Sequence, residues 1–224
     1  VNMPAHAHSH GYSDVNFLIP ELVAGVQFSK GPYFAEQGDF ATAGAVNIIT
    51  KRRPADSIAS IVGGSYSLQR YLTILSPPEG TLFQPYVAFE TYHERGPFKD
   101  QLGYNRYNLF TKFTLLSTAN SNLSFLGTFN HSYWNASGEI PSRLTRDPGR
   151  VLGRFGSIDP SQGGNTDRNN LNLVYNYTDE RQSFNVQAWG FFYNLTQYNN
   201  FTFFENDPIN GDEIEQRDKR GAGG

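Results

Sequence analysis

His6, His8 and His10 alternate near the start of the chain. In an extended segment, side chains two apart point the same way and sit ~6.5–7 Å apart. Three imidazoles on one side of a loop can hold a transition metal or complete the shell of a metal-bound cargo. A polar Gly/Pro/His loop that hydrogen-bonds a neighbouring wall would carry the same residues. Glu90 and Glu94 form a second candidate pair, because glycoside hydrolysis needs two carboxylates across a sugar. They share one strand face, but no nucleophile or acid motif surrounds them, so they read as wall charge. His93 and His131 are isolated. Asn135-Ala136-Ser137, Asn176-Tyr177-Thr178 and Asn194-Leu195-Thr196 fit the glycosylation pattern. Chance accounts for them in a chain this rich in Asn, Ser and Thr. Residues 207–212 carry an Asn-Gly turn whose order does not fit a calcium loop. There is no Ser-His-Asp framework, phosphate-cradling loop or nucleotide motif. No enzyme and no cofactor is expected.

The composition narrows the classes further. Net charge is -3 over 224 residues, which provides no general field for nucleic acid. The absence of Cys excludes disulfides and thiolate chemistry. Aromatics make up 15% of the chain, yet its mean hydropathy is negative. That combination suits a sheet with one greasy and one wet face. No apolar run approaches the ~18 residues of a membrane-spanning helix, although barrel strands need only ~9–11 alternating residues. Val1 opens the chain without a basic and apolar lead-in, so an exported protein starting here has been processed or cut.

The elements that position these residues are strands. Leu123, Phe125, Phe129 and Tyr133 fall on one face of residues 122–134, with Ser124, Thr128, Asn130 and Ser132 on the other. Tyr107, Leu109, Phe113 and Leu115 alternate with Asn108, Lys112 and Thr114. Leu171, Leu173, Tyr175 and Tyr177 alternate with Asn170, Asn172 and Asn176. Period-2 patterning of this length predicts strands. They are expected near 56–64, 68–76, 82–94, 105–117, 122–135, 169–178 and 182–197, with another from Gln216. Short turns near 77–81, 118–121 and 178–181 alternate with long loops near 95–104, 136–168 and 198–215. That alternation is the signature of an outer-membrane barrel. Tyr92, Tyr104, Tyr107, Tyr133, Trp134, Tyr175 and Tyr177 gather at strand ends, where interface girdles sit. A soluble β-sandwich is the rival, but its strands run ~5–6 residues.

Residues 17–53 read FLIPELVAGVQFSKGPYFAEQGDFATAGAVNIITKRR. Lys30, Gly31, Pro32, Gly38, Ala43, Gly44, Val46, Asn47, Ile48, Ile49, Thr50 and Lys51 follow one another in the order seen in the C-terminal half of a plug domain. The chain thus resembles the TonB-dependent outer-membrane receptors. Gln27 stands where that family often has an acid, and Gln37 where it often has a Tyr.

The resemblance implies a mainly β chain with two parts. Residues 1–53 are the C-terminal part of the plug domain. Residues 54–224 are the N-terminal strands of an incomplete antiparallel transmembrane β-barrel, one that closes with about 22 strands. The first plug half and the TonB-contacting segment would precede Val1, and further strands would follow Gly224. The implied location is the bacterial outer membrane. The implied partners are the TonB energy-transducing complex, outer-membrane lipid and a scarce cargo such as a ferric siderophore, cobalamin, another metal chelate or a glycan. His6, His8 and His10 would lie in an apical plug loop facing the cargo, as metal or cargo ligands. Gln37, Asp39 and Phe40 would lie in a second apical loop and meet cargo with Tyr33 and Phe34. A passive porin would lack the motif of residues 17–53. A secreted carbohydrate-binding β-sandwich would be soluble without detergent.

Overall fold

A computed structural model describes residues 14–33, 37, 43–78, 80, 85–146, 152–201, 205–209, 211–212 and 214–224. The chain begins with a turn at residues 15–18 and a short 3-10 helix, Pro20–Leu22. Strands β1 (Val23–Lys30) and β2 (Gly44–Thr50) then pair as an antiparallel hairpin. The expected strand at 44–50 is present. Its partner is the run of short apolar stretches before Lys30, which showed no clean alternation.

Eight further strands form one antiparallel meander. They are β3 (Ile58–Gly63), β4 (Gln69–Leu75), β5 (Tyr86–Glu94), β6 (Tyr104–Ser117), β7 (Ser121–Asn135), β8 (Gly163–Thr178), β9 (Ser183–Asn199) and β10 (Ile214–Gly223). Each pairs with its neighbours in sequence, in the order β10-β9-β8-β7-β6-β5-β4-β3. A one-turn helix α1 (Ser142–Arg146) sits in the connection from β7 to β8. The protein is therefore mainly β. No helix among the described residues is long and apolar enough to cross a membrane, which says nothing about crossing by strands.

Strand boundaries match the expectation within a few residues, with informative exceptions. β8 begins at Gly163 rather than 169. Gly163 and Gly164 read as loop residues, but they pair with Asn135 and Trp134. A Cβ on Gly164 would lie 2.5 Å from the Thr196 carbonyl oxygen and 2.9 Å from the Trp134 indole. Only glycine lets the strand run beneath that ring. The described part of the third expected strand starts at Tyr86, and residues 81–84 lie outside the described set.

Register gives the sheet two unlike faces. On one face lie Leu72, Ile74, Tyr86, Ala88, Glu90, Asn108, Phe110, Asn130, Ser132, Thr166, Arg168, Asn170, Tyr193 and Leu195, all buried. The N-terminal segment packs on this covered face. On the open face Tyr71, Phe89, Leu109, Phe129, Leu171, Leu173, Val186 and Phe192 are exposed. The alternation read from the sequence thus has the right phase on β7, β8 and the part of β6 up to Thr114; a register shift between Thr114 and Leu116 puts Leu116, not Leu115, opposite Leu123. The girdle expectation needs correction for Tyr92, Tyr104 and Trp134. Their cross-strand partners Arg106, Glu94 and Gly164 place them on the covered face, while Tyr107, Tyr133, Tyr175 and Tyr177 take the open one.

Candidate functional site

The site is the junction between the N-terminal segment and the covered face. The Pro20–Leu22 turn begins at a proline whose fixed φ suits it. The 3-10 geometry eclipses residues three apart, which brings Ile19 and Leu22 to one side. Both are buried against Leu72, Ile74, Tyr86, Ala88 and Phe110. Burial of each aliphatic side chain stabilises the contact by about 1.5–3 kcal/mol. Tyr86 and Phe110 stack, with ring centroids 5.4 Å apart.

Beside that apolar patch runs a chain of charges. Arg70 donates two hydrogen bonds of 2.7 Å to the two carboxylate oxygens of Glu21. Its Nε donates to Glu90 Oε1 at 2.6 Å. Arg106 Nη2 lies 3.1 Å from Glu90 Oε2, and Asn108 Nδ2 donates to that oxygen at 2.8 Å. Glu90 is completely buried, so its charge is tolerated only through these three partners. Asn108 Nδ2 is also 3.1 Å from the backbone oxygen of Asn16, and Asn130 donates to Asn108 Oδ1 at 2.7 Å. Glu21, Arg70, Glu90, Arg106, Asn108 and Asn130 thus connect the segment to four adjacent strands.

Further along the same face stands Arg168, 6% exposed. Phe17 lies over its guanidinium at 4.8 Å and Tyr193 at 5.8 Å. Its Nε has no hydrogen-bond partner among the described residues. At the far end of the segment, Tyr86 donates to the Lys51 carbonyl at 2.8 Å and Lys112 Nζ approaches it at 3.1 Å. Ser76 Oγ donates to the Pro54 carbonyl. The segment is therefore tied to the sheet before and after the β1–β2 hairpin.

The Arg70 guanidinium holds the Glu21 carboxyl below its usual range, against the burial that pushes it up. A depressed folded-state pKa means that the ionised form is the one the fold favours. Its contribution is full above the ordinary Glu value of about 4.3 and is lost as pH falls through the depressed one. Protection of residues 14–22 against hydrogen exchange should accordingly fall on acidification. In Glu21→Gln that protection should be weaker at neutral pH and less dependent on pH. Identical profiles for the two proteins would show that Glu21 does not hold the segment.

Above the charged chain is a cavity of about 400 Å³. Its lining is Asp14, Val15 and Asn16 from the segment, Leu102 and Tyr104 at the start of β6, Ser132 and Trp134 of β7, Thr166 of β8, and Tyr193, Leu195 and Gln197 of β9. It lies at the end of the sheet that carries the connections 95–103, 136–162 and 200–213. The first two are tied to strand ends and to each other. Asn135 N donates to the Leu102 carbonyl, and Lys99 N to that of Phe155. Asp159, buried, accepts from Asn200 Nδ2 at 2.9 Å and from Ser161. Burial raises the Asp159 carboxyl and these hydrogen bonds outweigh it, leaving its pKa lowered.

The residues singled out from sequence map unevenly onto this site. His6, His8, His10, Phe34, Asp39 and Phe40 lie outside the described residues. Tyr33 is exposed beside Gly31 in the hairpin connection, and Gln37 is half-buried in the same connection. Neither lines the cavity. No group of three or more His, Cys, Asp or Glu among the described residues can hold a metal ion. Glu90 and Glu94 part company: Glu90 is enclosed by cations, and Glu94 accepts a hydrogen bond from Tyr92. Sequence patterning places Asn108 on the polar face but singles out none of Glu21, Arg70, Arg106 and Arg168. The three arginines carry one signal, a polar side chain in phase with the covered face, and Glu21, in the turn before β1, carries none. No protein-family model matches the chain, and no curated protein matches it.

Proposed function

We propose that the chain is part of a TonB-dependent outer-membrane receptor, with the N-terminal segment and hairpin belonging to its plug and the meander to the wall of its barrel. The observation that carries this is the inverted polarity of the sheet. Asn108, Asn130, Ser132, Thr166 and Glu90 are buried, while Phe89, Leu109, Phe129, Leu171 and Val186 stand exposed on the other face. In water so extended an apolar face is unfavourable and is normally covered. Against lipid it is what a barrel wall presents. The strands, up to 17 residues long, exceed what a bilayer requires.

A soluble carbohydrate-binding sandwich would pack its apolar face on a second sheet. A passive porin accounts for the wall but gives no role to the segment anchored through Glu21, Ile19 and Leu22. On the transport reading, cargo meets the plug at the end of the sheet bearing the long connections. Coupling through TonB then loosens the plug from the wall, with no covalent step. Fractionation of the intact protein tests it. The protein should sediment with the outer membrane and leave it only with detergent, whereas recovery in the soluble fraction would refute the assignment.

A further inference from the structure

We infer that the cavity between the segment and strands β6–β9 binds a neutral saccharide through stacking on Trp134. This deepens the transport reading by assigning a cargo class, and rests on that reading only in calling the sugar a cargo. The volume of about 400 Å³ falls within the ~300–1,000 Å³ of small-molecule sites. Three aromatic side chains, Tyr104, Trp134 and Tyr193, share the lining with hydroxyls of Ser132 and Thr166 and with the planar polar groups of Asp14, Asn16 and Gln197. Hydroxyls and amides both donate and accept. A sugar hydroxyl does likewise, while the C–H face of its ring suits an aromatic face.

The charges narrow the choice. No Lys, Arg or His is among the described residues that line the cavity. An anionic chelate, carboxylate or phosphate entering there would lose water without meeting a counter-charge, which is costly. The nearby cations are engaged below: Arg106 by Glu90, and Arg168 between Phe17 and Tyr193. Among the described lining residues a metal ion would find a single carboxylate, that of Asp14. A neutral ring rich in hydroxyls meets neither obstacle.

The backbone is shaped to present the indole. Trp134 lies opposite Gly164, where a Cβ would come within 2.9 Å of it. The neighbouring Gly163 adopts φ +154 and would bring a Cβ to 2.4 Å from the Trp134 carbonyl oxygen. The glycine pair leaves the room that the indole and its backbone need beside β8, at the rim of the cavity that Trp134 lines.

The test is titration calorimetry on the intact protein in detergent. The probes are neutral disaccharides of glucose, galactose, mannose and xylose, with citrate as the anion and choline as the cation. At least one disaccharide should bind saturably, and neither ion should compete. Trp134→Ala should weaken that binding about tenfold, the value of one aromatic contact. Trp134→Phe, which keeps a ring, should lose far less and guards against misfolding as the cause. Trp189→Phe, on the same face but eight residues further along β8 by register, should leave binding unchanged. Silence from every disaccharide, preference for citrate or choline, or full affinity in Trp134→Ala would overturn the inference. A protein that ignores sugars yet still fractionates with the outer membrane would sink the saccharide and leave the transport reading intact.

Discussion

Replacing Glu90 by Ala is expected to cost the folded protein about 3–5 kcal/mol, the range for breaking a buried ion pair by removing one partner. Glu90 is fully buried and receives Arg70, Arg106 and Asn108 on its two oxygens. Without it the guanidiniums of Arg70 and Arg106 lose the carboxylate they share, and among the described residues Glu21 remains as the ion-pair partner of Arg70. Glu94→Ala, on the same strand, removes a single hydrogen bond from a half-buried position and should cost only about 0.5–1.5 kcal/mol. Urea unfolding of the protein in lipid, followed by tryptophan fluorescence, measures both. Equal costs for the two variants would mean that Glu90 is not the anchor described above.

The same pair of variants bears on why the junction is charged at all. An ion cluster replaced whole by well-packed apolar residues is often no less stable. The apolar part, Ile19 and Leu22 on Leu72, Ile74 and Phe110, already holds the segment. What the carboxylates add is a contact that responds to protons and to entering water, which an apolar contact does not. On the transport reading proposed above, a junction that holds at rest and separates under load gains from having both. Glu21 belongs to the segment while Arg70 and Glu90 belong to the sheet, so separation breaks the Glu21–Arg70 ion pair and leaves Arg70 still bonded to Glu90. Arg70 would therefore not be left as a bare cation if the segment left.

Much of this architecture was legible because a strand's side-chain period is two. Once Leu109 and Phe113 are set against Asn108 and Lys112, the residues of β6 up to Thr114 are assigned to a face, and the structure agrees; the register shift between Thr114 and Leu116 breaks the period beyond it. Tyr104 was misassigned by letting its type override that phase. It is even-numbered like Asn108, and so shares the covered face. The junction was not legible, for a different reason. That Glu90 stands beside Asn108 and Arg70 beside Tyr92 depends on register, which turns and packing set between strands and which no single strand encodes. Glu21 was hidden further still, since its partner lies 49 residues away. The acidic position that the resemblance pointed to is occupied by Gln27, exposed in the hairpin; the segment's ion pair is made instead from Glu21, at the turn before it.

Leu171→Arg should separate the lipid-facing reading from every soluble one. Leu171 is exposed on the open face and pairs with Gly127. It lies four residues from Asp167, which His131 engages, and four from Tyr175, so polar and aromatic side chains bracket it on both sides. That places it near the middle of the apolar band. On the proposed placement it sits close to the bilayer midplane, where an introduced Arg costs about 2–4 kcal/mol. At an exposed position of a soluble sheet the same change stays within about 0.5 kcal/mol. Gln187→Arg supplies the control, since Gln187 is exposed but shares the covered-face phase, opposite Val174 and bonded to Asn172. Its long side chain can reach water, and its cost should stay below about 1 kcal/mol. Folding free energies in bilayers of one thickness decide between the two outcomes. A large loss for Leu171→Arg with little for Gln187→Arg fits a wall in lipid, because only a medium without water penalises a charge on a surface that is already open.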